Sequence, residues 1–196
     1  MKIIFLGPQG SGKSTQAKML ADYLSVPYVE MGQLLRDKMN DTDQDAKVIR
    51  TAMETGTLVA DNKITIRTLN QRLSKPDYAK GFILDGYPRN DEQVRNLPEG
   101  IDMVFYINIP DDEAVERLLK RGRTDDTPEV IRKRLETYHQ ETEPILSYFK
   151  QKGILAEIDG TPSIEEVDAD IKMRIKKTIA SELNDFRLWK NFRILK

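Results

Sequence analysis

The sequence predicts an α/β fold built on a five-stranded parallel sheet, and three observations predict it. Five short apolar runs, at 2–6, 27–29, 81–84, 103–107 and 155–158, alternate with helical patterns along the 196 residues. The runs are nearly continuous rather than alternating, as strands buried on both faces are. The first run ends in Gly7-Pro8-Gln9-Gly10-Ser11-Gly12-Lys13-Ser14-Thr15, a glycine-rich loop that leads into a helical pattern through Ala17, Leu20, Ala21 and Leu24.

That loop has the spacing G-x-x-x-x-G-K-[ST], which suits a polyphosphate. The glycines let the backbone bend so that successive N–H groups, from Gly10 through Thr15, point at phosphate oxygens. Lys13 adds a point charge, Ser14 offers a hydroxyl to Mg²⁺, and the helix starting near Lys13 turns its positive end to the anion. Between Gly32 and Lys75 the chain is helical, with breaks at 41–45 and 56–61, an unusually long crossover that suits a substrate-binding insertion. The third run ends in Asp85, a carboxylate placed to hold Mg²⁺ directly or through water beside a phosphate loop. A further long helical stretch runs from Pro128 to Gln151, with Thr127 as its N-cap and Pro128 at its first position. A last helix starts around Ser163, where Ser163-Ile-Glu-Glu166 has the capping-box spacing.

Composition narrows the function classes. The chain is 39% hydrophobic and 32% charged, a balance expected of one soluble domain. The longest apolar run is too short to span a bilayer, and the first residues do not read as a signal peptide, so the expected location is cytoplasmic. With no cysteine there is no disulfide, no Cys-based structural zinc site and no thiol nucleophile. Net charge is −1, so any phosphate site must be made locally, by clustered cations. No basic-aromatic patch suggests nucleic acid. His139, the single histidine, has no second ligand or serine in view and reads as structural or exposed.

The arginines supply such a cluster. Arg89 follows a buried run within Asp85-Gly-Tyr-Pro-Arg89, and Arg36 lies on the first helix of the insertion. Arg117 and Arg121 are one helical turn apart and share a face, with Arg123 just beyond. Arg132 and Arg134 point in different directions, so only one faces a site; Arg132, between Glu129 and Glu136, reads as a solvated salt-bridge residue. Several arginines, a lysine and Mg²⁺ are what transfer of a phosphoryl group between two nucleotides requires.

From Met1 to about Ile179 the sequence resembles the adenylate kinase family of nucleoside monophosphate kinases. The likeness rests on the glycine-rich loop, Gly32-Gln-Leu-Leu-Arg36, Gly56-Thr-Leu-Val59, Asp85-Gly-Tyr-Pro-Arg89, Arg123-Thr-Asp-Asp126, and Arg132-Lys-Arg-Leu135 followed by Thr142-Glu-Pro144. It implies a three-layer α/β/α P-loop kinase: a CORE domain at 1–29 and 60–180, a helical NMP-binding insertion at 30–59, a vestigial lid at 121–123 and a C-terminal extension at 181–196. It implies ATP on the loop residues Gly10 to Thr15, with Arg117 and the backbone near Gly160 by the adenine. AMP would meet Met31, Gly32, Arg36, Thr57, Leu58, Val59, Gly86, Tyr87, Pro88 and Arg89. Gln93 would read the adenine edge, its amide offering one donor and one acceptor. Arg121, Arg123 and Arg134 would converge on the transferred group, with Lys13, Arg36 and Arg89 completing the catalytic set. ATP, AMP and ADP are then the partners, and a monomer is expected.

The sequence departs from the family in three places. Glu30-Met31-Gly32-Gln33 stands where Ser-Thr-Gly-Asp is usual, so a threonine hydroxyl and a carboxylate are missing. Arg121-Gly122-Arg123 leaves almost nothing of the lid, which predicts preorganised arginines and a more open ATP side. The chain also runs on past the family's usual end, with a stripe at Ile179, Leu183, Phe186, Trp189, Phe192 and Leu195. That stripe reads first as a helix packed on the body, with a homo-oligomeric contact or a cover over the site as alternatives. The activity so implied is Mg²⁺-dependent ATP + AMP giving two ADP; a UMP/CMP kinase and an inactive nucleotide-binding regulatory module stay open as rivals.

Overall fold

In a computed structural model, residues 1–122 and 126–194 are described, with side chains as far as residue 181. The five apolar runs are five parallel strands: β1 (Lys2–Leu6), β2 (Tyr28–Glu30), β3 (Phe82–Asp85), β4 (Met103–Asn108) and β5 (Leu155–Asp159). They lie in the order β2-β3-β1-β4-β5. β2 starts one residue later than the apolar run suggests, although the Pro27 carbonyl still accepts from the Ile83 N–H at 2.8 Å.

Strand period sorts the core into two layers. In β1, Ile3 and Phe5 face one side and Ile4 and Leu6 the other, all four buried. Ile3 and Phe5 join Ile83, Phe105, Ile107 and Ile158 against Ala17 and Leu20 of α1 (Lys13–Leu24) and Val167, Ile171 and Ile175 of α9 (Ile164–Ile194). Ile4 and Leu6 join Leu84 and Val104 on the opposite face. There they meet α2 (Met31–Lys38) through Leu35, α3 (Gln44–Thr55) through Ile49, α4 (Asn62–Leu73) through Leu69, and α8 (Leu146–Gln151) through Phe149. α2 and α3 therefore share one apolar cluster with the sheet. A smaller cluster, Ala114, Leu118, Ile131 and Leu135, joins α6 (Asp111–Arg121) to α7 (Pro128–Thr137). α5 (Asp91–Arg95) is the short helix after β3.

The expected caps form. Thr127 accepts from the Val130 N–H at 3.3 Å, and Ser163 and Glu166 bond reciprocally through their backbone N–H groups at 3.0 and 3.3 Å. The long helix expected over 128–151 is broken. α7 stops at Thr137, a π turn covers Tyr138–Thr142, a 3₁₀ turn covers Glu143–Ile145, and α8 follows. Pro144 is the cause: it has no N–H to donate and its ring crowds the carbonyl four residues back, so the ladder widens before it. α9 runs on as helix to Ile194, while the side chains of the tail stripe from Leu183 onward lie outside the described residues.

Candidate active site

All strands point the same way, so their C-terminal ends form one rim, where ligands bind in open α/β sheets. Three ends supply the floor of a cleft. β1 delivers Gly7 and the glycine-rich loop, β3 delivers Asp85, and β2 delivers Glu30, which lies opposite Asp85 in the sheet register. The cleft has a volume of about 390 Å³ and is lined by Gly10, Gly12, Lys13, Ser14 and Thr15 on one side. Met31, Gly32, Arg36, Thr57, Leu58, Val59, Gly86, Tyr87, Arg89 and Gln93 line the other, with Arg117, Arg121 and Arg134 between them. A small side bay of about 60 Å³ adjoins it, walled by Pro88, Arg89, Arg134 and Thr142.

The loop's shape depends on glycine. A Cβ on Gly10 (φ +88°) would lie 2.8 Å from the Ala114 carbonyl oxygen, and one on Gly7 (φ +146°) 2.3 Å from that of Ile107. Gly12, in the left-handed region, opens α1 without a side-chain cap, so the first N–H groups of the helix are left for a ligand. Lys13 reaches back to the Pro8 carbonyl at 3.1 Å. Burial pulls its pKa down to about 8; Asp85 opposes this, and the Arg89 and Arg121 guanidiniums add to it.

The Ser14 hydroxyl donates to Asp85 Oδ2 at 2.5 Å, and the Tyr28 phenol donates to the same oxygen at 2.9 Å. Burial first, then Asp85, holds the Tyr28 phenol well above its ordinary pKa, so it stays a donor. Asp85 is 1% exposed, and its other oxygen, Oδ1, is buried with no hydrogen-bond partner among the described residues. A buried carboxylate oxygen left over beside a P-loop hydroxyl fits a hydrated Mg²⁺. Among the described residues no cluster of three or more His, Asp or Glu could hold a metal without a ligand's help.

The arginines are held individually. Arg89 bonds the Gly86 carbonyl through Nε at 2.8 Å, and its own carbonyl accepts from Thr142 at 3.0 Å. Burial is the main cause holding its pKa below the usual arginine value. Asp126, whose side chain is wholly buried, accepts a two-pronged contact from one edge of Arg121 (Nε and Nη2, each 2.9 Å) and a bond from Arg134 Nη1 at 2.9 Å. Arg36 pairs with Glu30 at 2.8 Å. Arg117 pairs with Glu113 and reaches toward the Thr161 carbonyl at 3.4 Å.

Most residues expected at the site are thus brought together, with exceptions. Ser11 is buried behind the loop, 2% exposed, and is not part of the lining. Gly160 also stands behind the wall, where a Cβ would come 2.6 Å from Ile107 Cγ2. Arg123 lies outside the described residues, whereas Gly122 before it ends α6 in the left-handed region. Arg132 is exposed, as its flanking glutamates suggest. His139 is exposed between Glu143 (2.7 Å) and Asp111 (3.0 Å), outside the cleft lining. Gln93 lines the cleft, but its amide already has protein partners. Its oxygen accepts from the Arg89 N–H at 2.8 Å, and its nitrogen donates to Asn62 at 2.9 Å and Thr65 at 3.3 Å. Sequence reasoning missed Tyr28, Asn62, Thr65 and the pairing role of Asp126.

Residues 5–154 match the family model described as adenylate kinase. The chain is 38% identical over 187 residues to the adenylate kinase of Stenotrophomonas maltophilia strain K279a, covering 90% of this chain and 100% of that one. It is 38% identical to that of Nocardia farcinica, over 86% of this chain and 95% of the relative. It is 39% identical to that of Xylella fastidiosa strain 9a5c, over 87% and 97%.

Proposed function

The chain belongs to the adenylate kinase family, and from that premise we infer that its cleft transfers a phosphoryl group reversibly from ATP to AMP, giving two ADP. It is a phosphotransferase of the nucleoside monophosphate kinase class. The observation that carries the reading is one continuous cleft with a phosphate loop at one end, a second nucleotide-sized surface at the other, and Lys13, Arg89 and Arg134 where the phosphates would meet.

The residues act by position and charge. The N–H groups of the loop and of the α1 N-terminus hold the ATP phosphates, and Lys13 sits by the β- and γ-oxygens. Arg36 and Arg89 hold the AMP phosphate. One of its oxygens attacks the γ-phosphorus in line as the bond to the β–γ bridging oxygen breaks, so ADP leaves and no covalent enzyme intermediate forms. Arg121 and Arg134, fixed by Asp126, compensate the charge on the transferred group, and Arg123 joins them in the family pattern. Ser14 and Asp85 would stand beside a Mg²⁺ ion carried in with ATP, which would supply further charge compensation. The 30–59 segment serves as the acceptor side, and the protein works as a cytoplasmic monomer.

Acceptor choice rests on Gln93. The carboxamide oxygen keeps a lone pair for the adenine amino group, and its bond to Thr65, the longer of the two it donates, is the one that yields to adenine N1. A base that leaves such groups unpaired is rejected strongly. A coupled assay with ATP and each of AMP, CMP, UMP and GMP should give AMP the highest kcat/KM. A higher value for CMP or UMP would reassign the enzyme to the pyrimidine branch.

A further inference from the structure

Arg36 is turned back onto the first turn of its own helix. Its Nη2 meets Glu30 Oε1 at 2.8 Å and its Nε meets Gln33 Oε1 at 3.0 Å, so the Nε–Nη2 edge, one of the two that can grip a phosphate in two-pronged fashion, is engaged by the protein. Gly32 lets this happen: a Cβ there would stand 3.3 Å from Arg36 Nη1 and 3.7 Å from Glu30 Oε1. Arg36 is the ion-pair partner of Glu30 among the described residues, although the Glu30 charge also acts on Lys13 and Arg89 from farther off. The second Glu30 oxygen lies 3.4 Å from the Tyr28 phenol, whose one proton goes to Asp85 at 2.9 Å. Glu30 and Arg36 both line the cleft and are both part-exposed, 19% and 35% by side chain.

We propose that Glu30 is a positioning residue of the acceptor side: its carboxylate is the counter-anion that Arg36 exchanges for the acceptor phosphate, and it sets the apparent affinity for AMP. The proposal rests on the reading of this cleft as an AMP site. A carboxylate and a phosphate cannot both hold one guanidinium edge, and two anions side by side repel. Because the pair is part-exposed, exchange is cheap and the effect on AMP is several-fold rather than orders of magnitude. Glu30 also stands opposite Asp85 in the sheet register.

The test uses the full chain and three variants: Glu30→Gln, Glu30→Ser and Glu30→Asp. Steady-state kinetics gives KM and kcat for AMP and for ATP, and calorimetry gives the AMP dissociation constant. Both neutral variants should lower KM and the dissociation constant for AMP about fivefold, with a smaller change in kcat and in KM for ATP. Glu30→Asp, which keeps the charge, should stay near wild type. A merely structural role would move kcat and both KM values together, and that result overturns the proposal, as does an unchanged or raised KM for AMP in the neutral variants. Wild-type protein that does not phosphorylate AMP overturns the adenylate kinase reading, and the proposal with it. Wild-type turnover with an unmoved KM overturns the proposal alone.

Discussion

Two arginine–carboxylate contacts face the same cleft and are built differently. Asp126 is wholly buried by side chain and grips Arg121 through two nitrogens of one edge and Arg134 through one. Glu30 is part-exposed and takes a single nitrogen of Arg36. Breaking the first leaves a guanidinium beside an empty, desolvated position; breaking the second leaves groups that water or a phosphate can reach. The difference separates scaffold from exchange. Asp126 fixes where two cations stand, and Glu30 holds one cation until a better anion takes it.

The largest effect lies in a third arrangement. Arg89 has no carboxylate ion pair among the described residues; its guanidinium bonds the Gly86 carbonyl, and its backbone is fixed by Gln93 and Thr142. Arg89→Ala should therefore cost about a thousandfold in kcat/KM, the scale of a lost charge-assisted phosphate contact in a water-excluded site, with the fold intact by circular dichroism. Near-normal turnover in the folded variant would remove Arg89 from the acceptor clamp.

Asp126→Asn comes next and probes the scaffold side. The amide keeps the shape but not the charge, so stability should fall by about 2 kcal/mol and kcat/KM by about a hundredfold as Arg121 and Arg134 lose their common anchor. Urea unfolding and steady-state kinetics measure both. If this variant behaves like Glu30→Gln, changing KM for AMP alone, the distinction between the two contacts fails.

A smaller effect is read by pH. Burial lowers Lys13 to about 8 in the free protein, so below that value it is the cation the phosphates need and above it a neutral amine. kcat/KM for ATP should be level up to about pH 7.5 and then fall by up to about tenfold per unit. Bound phosphate favours the ammonium, so the limb in kcat moves to higher pH. Lys13→Arg should flatten the limb while lowering activity. A limb in kcat/KM that survives in that variant belongs to another group.

What could be read in advance follows the distance along the chain over which each feature is made. The P-loop is contiguous, and the strands announce themselves because both their faces are buried, as in Ile3 to Leu6. Thr127 and Ser163 cap helices within three residues. The break at 138–145 was signalled by Pro144, but apolar residues at Ile131, Leu135, Tyr138, Ile145 and Phe149 kept the helical rhythm through it. Tyr28 and Asp85 are 57 residues apart and meet only through sheet register. Asp126 serves Arg121 and Arg134 from five and eight residues away, across a link between helices, where no periodic rule applies. Glu30 and Arg36 are six apart and meet because Glu30 ends a strand and precedes a helix, so helical spacing does not reveal them. Gln93 was identified by type and position, whereas its bonds to Asn62 and Thr65 needed the fold.

The most direct test of the two-nucleotide cleft uses one reactant. Mg-ADP is incubated with the full chain and followed by phosphorus NMR. A kinase that joins two nucleotides end to end must convert ADP into ATP and AMP in equal amounts, stopping at equilibrium. ADP left unchanged, or consumed to AMP and orthophosphate without ATP, would contradict the account.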